Sequence, residues 1–313
     1  MKRIPRPFAA AFLLFLSGCG YADFTLPLVP GGDSSISFRF AAESAPVLTR
    51  EPFTDALNPS VVGRMNFYSV FDGQWHTALA TAGEGGQWHK RGIVLRAAPG
   101  DYIAANGSAL FHVGQFWYWY ESGVRDNLRI SLARSPDGLA WKRSPASVLG
   151  PGPVGSWDER AVADPYVLRI SPYFYMYYLG QDRAVRQRLG VARSADGIHW
   201  QKLRSNPILE PDQSDQGLGE PAVWQSDGFY WMLYTVRTFS EERYLALARS
   251  TDGVKWTKLP VKYTGVEAWD AKVLCDPTVV VDGGRVLVWF GGGDVASPDE
   301  NLHGQIGFAT LAK

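Results

Sequence analysis

The chain has 313 residues, 31 of them basic and 31 acidic, with aromatic residues at 13% and only two cysteines. Balanced charge gives no electrostatic footprint for nucleic acid, and two cysteines cannot build a disulfide framework. No segment reaches the roughly 20 consecutive apolar residues that a membrane-spanning helix needs.

Met1 to Arg6 is basic, Phe8 to Leu16 is apolar, and Leu16-Ser17-Gly18-Cys19 has the form of a bacterial lipoprotein cleavage site. Residues 1–18 are therefore predicted to be a lipoprotein signal peptide, and diacylation of Cys19 would attach the chain to a membrane. An ordinary signal peptide with an incidental cysteine is the alternative. Gly20 after the cysteine, rather than Asp, resembles lipoproteins sent to the outer membrane, so the expected location is the bacterial cell envelope, lipid-anchored. Loss of Lys2, Arg3 and Arg6 would leave 28 basic against 31 acidic residues. Cys275 would then lack a partner, and in its apolar strand it reads as a small buried hydrophobe rather than a catalytic thiol. Residues 19–35, rich in Gly, Pro and Asp, read as a lipidated tether, and residues 36–313 as one domain.

That domain is repetitive. ARSPDGLAW (Ala133 to Trp141), ARSADGIHW (Ala192 to Trp200) and ARSTDGVKW (Ala248 to Trp256) share one pattern, and ATAGEGGQW (Ala80 to Trp88) is a worn copy. In the three clear copies Asp-Gly supplies the chemistry of a tight hairpin turn. A second mark runs ahead of the first and occurs five times, at Asn58-Pro59, Asn106-Gly107, Asp164-Pro165, Glu220-Pro221 and Asp276-Pro277, each opening a short apolar run and leading to a second, aromatic strand such as FWYWY or FYWMLY. Helical spacing is absent. A self-similar unit of 50 to 60 residues with four strands, occurring five times, predicts an all-β fold, a five-bladed β-propeller. A strand from about Ile36 to Thr49 is expected to join the last blade, whose third strand is Gln305 to Leu311.

Residues opening the innermost strands of such a ring face one axial opening. Here they are Asn58, Asn106, Asp164, Glu220 and Asp276. Glycoside hydrolysis needs a protonated acid at the leaving oxygen and a second carboxylate opposite it, and crowding of carboxylates keeps one of them protonated near neutral pH. The other reading is strand-entry punctuation, in which the polar side chain bonds its own backbone.

The Asp-Pro strand entries, aromatic second strands and Ser-x-Asp-Gly-x-x-Trp hairpins together resemble the five-bladed glycoside hydrolases that include arabinanases, β-xylosidases, invertases and levansucrases, nearest to family 43. The resemblance extends from about Asn58 over nearly all of the remaining chain. It implies a general base opening the first blade, an aspartate opening the third that tunes the acid and orients substrate, and a glutamate opening the fourth as general acid. Asp164 and Glu220 match the last two. Asn58 departs from the pattern, because a carboxamide cannot take a proton from water. Asp276, or Asp55 from the preceding loop, could supply the base instead; otherwise the site binds sugar without cleaving it.

The expectation is a glycan-recognising lipoprotein that hydrolyses a poly- or oligosaccharide, with a non-catalytic carbohydrate-binding or scaffold lipoprotein as the alternative. Glu220, Asp164 and Asp276 are the catalytic candidates, and Asn58, Asn106, Trp157, Trp224 and Trp269 the substrate-binding ones. Burial between blades is an equal alternative for each tryptophan. Trp157-Asp158 precedes Asp164 as Trp269-Asp270 precedes Asp276, which suggests a repeated loop over the channel or shared ancestry of the blades alone. The five histidines are scattered without ligand spacing, so no metal site or other cofactor is expected from the residues, while the resemblance allows a Ca²⁺ ion in the channel. A monomer is expected.

Overall fold

The computed structural model describes residues Gly20 to Lys313, and among them every helix or strand assigned is a strand. Two short strands come first, β1 (Tyr21–Ala22) and β2 (Arg39–Ala42). The first blade is β3 (Asp55–Val62), β4 (Met65–Phe71), β5 (Trp75–Ala82) and β6 (Trp88–Leu95). The second is β7 (Ile103–His112), β8 (Gln115–Gly123), β9 (Arg129–Ser135) and β10 (Lys142–Arg143). The third is β11 (Ala161–Ile170), β12 (Tyr173–Gln181), β13 (Gln187–Ser194) and β14 (Trp200–Leu203). The fourth is β15 (Asp215–Ser226), β16 (Phe229–Thr238), β17 (Arg243–Ser250) and β18 (Thr257–Tyr263). The fifth has β19 (Val273–Asp282), β20 (Arg285–Gly293) and β21 (Gln305–Ala312). Its outer strand comes from the other end of the chain, because β2 pairs antiparallel with β21, Arg39 opposite Ala312 and Ala42 opposite Ala309. The architecture is a five-bladed β-propeller.

The aromatic second strands are covered on both faces, which is why they read as unbroken apolar runs. On β8, Phe116, Tyr118 and Tyr120 pack with Phe67 and Leu79 of the first blade, while Trp117 and Trp119 pack with Phe174, Met176 and Tyr178 of the third. β12 repeats the arrangement, its Tyr175, Tyr177 and Leu179 lying against Tyr230, Met232 and Tyr234 of the fourth blade. Alternation along a strand thus puts one set of rings into each of two inter-blade cores.

The Ser-x-Asp-Gly-x-x-Trp hairpins fasten one blade to the next. Ser194 Oγ accepts the Gly197 amide (2.9 Å), Asp196 Oδ1 accepts those of Ile198 and His199, and Trp200 Nε1 donates to the Gly197 carbonyl. The same bonds recur at 135–141 and 250–256. Each turn glycine has positive φ and lies on the preceding blade: Gly138 on Phe67, Gly197 on Trp117 and Trp119, Gly253 on Tyr177. Trp119 Nε1 donates to the Gly197 carbonyl, and the Tyr177 hydroxyl to that of Gly253.

Residues Gly20 to Ser35, expected as a tether, lie along the third and fourth blades instead. β1 pairs with β14, the amides of Leu26 and Val29 donate to the carbonyls of Asp252 and Thr251, and both side chains are buried. Two apolar residues and backbone groups matching a free strand edge outweigh the Gly and Pro content that suggested a spacer. Cys19 and the expected signal peptide lie outside the described residues. No helix among the described residues is long and apolar enough to cross a membrane.

Candidate active site

Each innermost strand carries a bulge at the same place. Pairing register slips between Leu57 and Ser60, Ala105 and Ser108, Ala163 and Tyr166, Gly219 and Ala222, and Cys275 and Thr278. At these slips stand Asn58, Asn106, Asp164, Glu220 and Asp276, all in left-handed backbone with φ between 47° and 52°. Four of them precede proline, which disfavours helical backbone there, so each position stores of order 1–3 kcal/mol that the surrounding sheet must hold. Expected at strand starts, these residues lie inside the strands, where the bulge re-aims a side chain.

The consequence is a ring of bonds between blades. The Asp164 amide donates to Glu121 Oε1 (2.8 Å), and the Glu220 amide to Asp164 Oδ2 (3.4 Å). Asp276 donates its amide to Thr235 Oγ1 (3.3 Å) and accepts Asn58 Nδ2 at Oδ1 (2.6 Å) and the Cys275 thiol at Oδ2 (3.0 Å). Asn106 exchanges two bonds with Ser69, its amide donating to Oγ (2.9 Å) and its Oδ1 accepting from it (2.8 Å). Side chains that merely punctuated strands would bond their own backbone, and these bond their neighbours.

The five residues, with Glu121, line one cavity of about 340 Å³ at the mouth of the channel. Asp276 and Glu121 are buried, and Asp164 and Glu220 are half-buried. Burial, then the charge of Asp164, pushes Glu220 up to about 7, with Arg243 opposing. Burial pushes Asp276 up to about 8, helped by the charge of Glu220 and opposed by Arg243 and the Cys275 bond. Glu121 is pushed up to about 7 by burial, against its hydrogen bonds to Asp164 and Asn106, and Asp164 is raised by burial and then by Glu121. So many carboxyl groups around one mouth cannot all ionise, and they titrate as a set with some protons retained at neutral pH.

Glu121 is not among the residues expected from the sequence. On β8 it faces Ala105, the residue before the bulge, in the slot held by Ser69, Leu179, Thr235 and Gly291 on the other second strands. The signal was there: FWYWYE ends in a carboxylate where the equivalent runs end in a hydroxyl, apolar or small residue.

The three tryptophans expected at the mouth are not there. Trp224 is buried, stacked on Trp231 at the far end of β15, and Trp157 and Trp269 lie over Gly180 and Gly292, beyond the cavity lining. Their repeated Trp-Asp pairs are structural latches: the indole covers a second-strand glycine, and the aspartate below it is buried. Asp158 holds Lys202 at 2.5 Å, and Asp270 accepts the Glu267 amide. The aromatic rings that do line the cavity are Trp75 and Tyr102.

Asp55 cannot serve as base. It is fully buried and outside the cavity lining, where its oxygens accept the amides of Asn301 (2.7 Å) and Gly304 (2.8 Å). Below the mouth the channel narrows to about 40 Å³, lined by the five bulge residues, the prolines that follow four of them, and Ser60, Ser108, Tyr166 and Thr278. Among the described residues no group of three or more His, Cys, Asp or Glu is placed to hold a metal ion.

Comparison with known proteins agrees with this geometry. The chain is 29% identical over 154 residues to an uncharacterized protein of Mycobacterium tuberculosis, covering 46% of this chain and 52% of that one. It is 25% identical over 186 residues to the raffinose invertase of Escherichia coli, covering 56% of this chain and 38% of the invertase. The chain thus spans about half the length of the first relative and less of the second. A solved structure titled as a glycoside hydrolase superposes with a TM-score of 0.68 at 16% identity, over 90% of this chain and 92% of that one, which shows a common fold. The resemblance read from the motifs was nearest to family 43, and the superfamily is the same one. The model of the glycosyl hydrolases family 32 N-terminal domain matches residues 65–269, the larger part of the chain, and the protein belongs to that family.

Proposed function

We propose that this protein hydrolyses a glycosidic bond in a poly- or oligosaccharide, with Glu220 as general acid, Asp164 tuning it, and Asp276 as base in place of the absent first-blade carboxylate. The observation that supports this reading most is the convergence of Asp164, Glu220 and Asp276 on one cavity with Glu220 held near 7. Such a group is protonated often enough to donate to a leaving oxygen at neutral pH. Asn58 Nδ2 and the Cys275 thiol donate to the two oxygens of Asp276, which holds its carboxyl in place in the cavity lining. Asn58 positions it and, being a carboxamide, is neither base nor nucleophile.

Asn58 also supports a second reading, a carbohydrate-binding lipoprotein that does not turn its ligand over. Release of reducing sugar from arabinans, xylans, fructans and envelope polysaccharides separates the two. Turnover by the wild type that drops 10²-fold or more in Glu220→Gln supports hydrolysis. Binding without turnover, unchanged by Asn58→Asp, supports the binder, and turnover that appears only in Asn58→Asp supports a hydrolase that has lost its second carboxylate. In either case we propose a monomer anchored in the bacterial cell envelope through lipid on Cys19, a reading supported by the Leu-Ser-Gly-Cys motif. Mass measurement of the mature N-terminal peptide, with Cys19→Ala as control, tests it.

A further inference from the structure

Four guanidinium groups line the cavity: Arg125, Arg160, Arg237 and Arg243. Three have carboxylate partners. Arg125 holds Asp299 (2.6 Å) and Glu300 (2.7 Å), Arg160 pairs with Asp126, and Arg237 pairs with Glu241. Arg243 has none among the described residues. Its Nη2 donates to the carbonyls of Ser297 (3.0 Å) and Pro298 (2.5 Å), which hold the fork in place, while its Nε and Nη1 donate to no described residue.

The location of this fork is well defined. Arg243 starts β17 and is paired in parallel with Val273 on β19, the strand that carries Cys275 and Asp276. It lies near enough to both Glu220 and Asp276 for its charge to act on each of them. Acceptors in the same lining are also unmatched: Glu220 Oε2 and Gln216 Oε1 are buried without a hydrogen-bond partner. Native structures rarely leave buried polar atoms unpaired, and these two acceptors beside the open donors of Arg243 describe the polar outline of a ligand.

The unmatched donors are cationic and forked. Guanidinium geometry suits the two oxygens of a carboxylate or phosphate, and such pairs are among the stronger hydrogen bonds. No carboxylate among the described residues lies within ion-pair distance of Arg243, so the cavity offers its fork no anionic partner. We propose that Arg243 is the seat of an oxyanion of the ligand, either the carboxylate of an acidic sugar or a free phosphate, beside the Glu220 and Asp276 carboxyl groups. This rests on the carbohydrate reading of the cavity for its sugar-borne form. A seated anion cancels the influence of Arg243 on Glu220 and so raises the acid further, and an acidic ligand thereby helps to protonate the group that would cleave it.

Ligand-observed NMR titration of the full mature protein with glucuronate, galacturonate, glucose, galactose and inorganic phosphate tests the seat. The wild type is expected to bind at least one anion tenfold or more tightly than the neutral sugars, with affinity falling as NaCl is added. Arg243→Gln should abolish that preference and Arg243→Lys retain part of it, which separates loss of the charge from loss of the fold. A uronate preference assigns the anion to the sugar, and a phosphate preference assigns it to free phosphate. Equal binding of anions and neutral sugars, or an anion preference that survives in Arg243→Gln, overturns the proposal. Turnover lost in Glu220→Gln without any anion preference removes the seat and leaves hydrolysis standing; an anion preference without turnover does the reverse.

Discussion

Glu220 and Asp276 set the pH behaviour of the site between them. Cleavage requires Glu220 protonated and Asp276 ionised, yet the acid titrates near 7 and the base near 8, so each pH that suits one works against the other. The rate should follow a narrow bell with its maximum between those two values, each limb falling about tenfold per pH unit; a plateau below pH 6 in kcat/KM would remove Asp276 from the mechanism. Glu121 makes a separate prediction about stability. Its carboxyl is raised from an ordinary 4.5 to about 7 in the fold, so the folded state binds the proton more tightly. The stabilisation is complete below about 4.5 and lost as pH rises through 7, by about 3 kcal/mol for a shift of this size. Glu121→Gln keeps an acceptor for the Asp164 amide and removes the titration. Urea unfolding should find the variant and the wild type equal near pH 4, and the variant more stable by up to that amount at pH 8.

At the scale of elements, the hairpins do more than end a blade. Gly253 combines a φ of 70° with a backbone against which an added Cβ would meet Leu26 at 2.8 Å and the Tyr177 hydroxyl at 2.9 Å. Gly253→Ala should therefore cost about 1–3 kcal/mol through backbone strain alone, with crowding adding to it. The denaturation midpoint measures this. Gly63 also has positive φ but faces open space, so Gly63→Ala reports the strain without the crowding, and an equal loss in both variants would show that crowding against Leu26 and Tyr177 costs nothing.

Ring closure rests on β2, which pairs with β21 and is anchored by Phe38 on the fourth blade. Phe38 precedes the strand that completes the fifth blade, and its ring packs edge-on against Trp231 with centroids 4.9 Å apart, while the Tyr263 hydroxyl donates to its carbonyl. Phe38→Ala should cost about 3–5 kcal/mol in calorimetric or denaturant unfolding, as expected for a buried aromatic ring. Because the acids come from four different blades, the same variant should also weaken sugar binding although no atom of Phe38 reaches the cavity lining.

Local chemistry was enough to write most of this fold. Asp-Gly turns, aromatic strands and the returning Asn-Pro, Asp-Pro and Glu-Pro pairs are short-range signals, and repetition turns five of them into a ring. That Asp164, Glu220 and Asp276 meet follows from that repetition as well. Which neighbours complete the site did not follow, because partners across blades are 37 to 218 residues apart in the chain, as with Ser69 and Asn106 or Asn58 and Asp276. Trp157, Trp224 and Trp269 offered large rings that suit either a sugar or an inter-blade core, and only the packing against Gly180, Trp231 and Gly292 decided between them. Glu121 entered the site through strand register, and Gly20 to Ser35 joined the wall through a free strand edge. Sequence periodicity determines which residues are equivalent; tertiary packing determines which of two chemically suitable surroundings each one occupies, since the free energies that choose come from contacts distant in the chain.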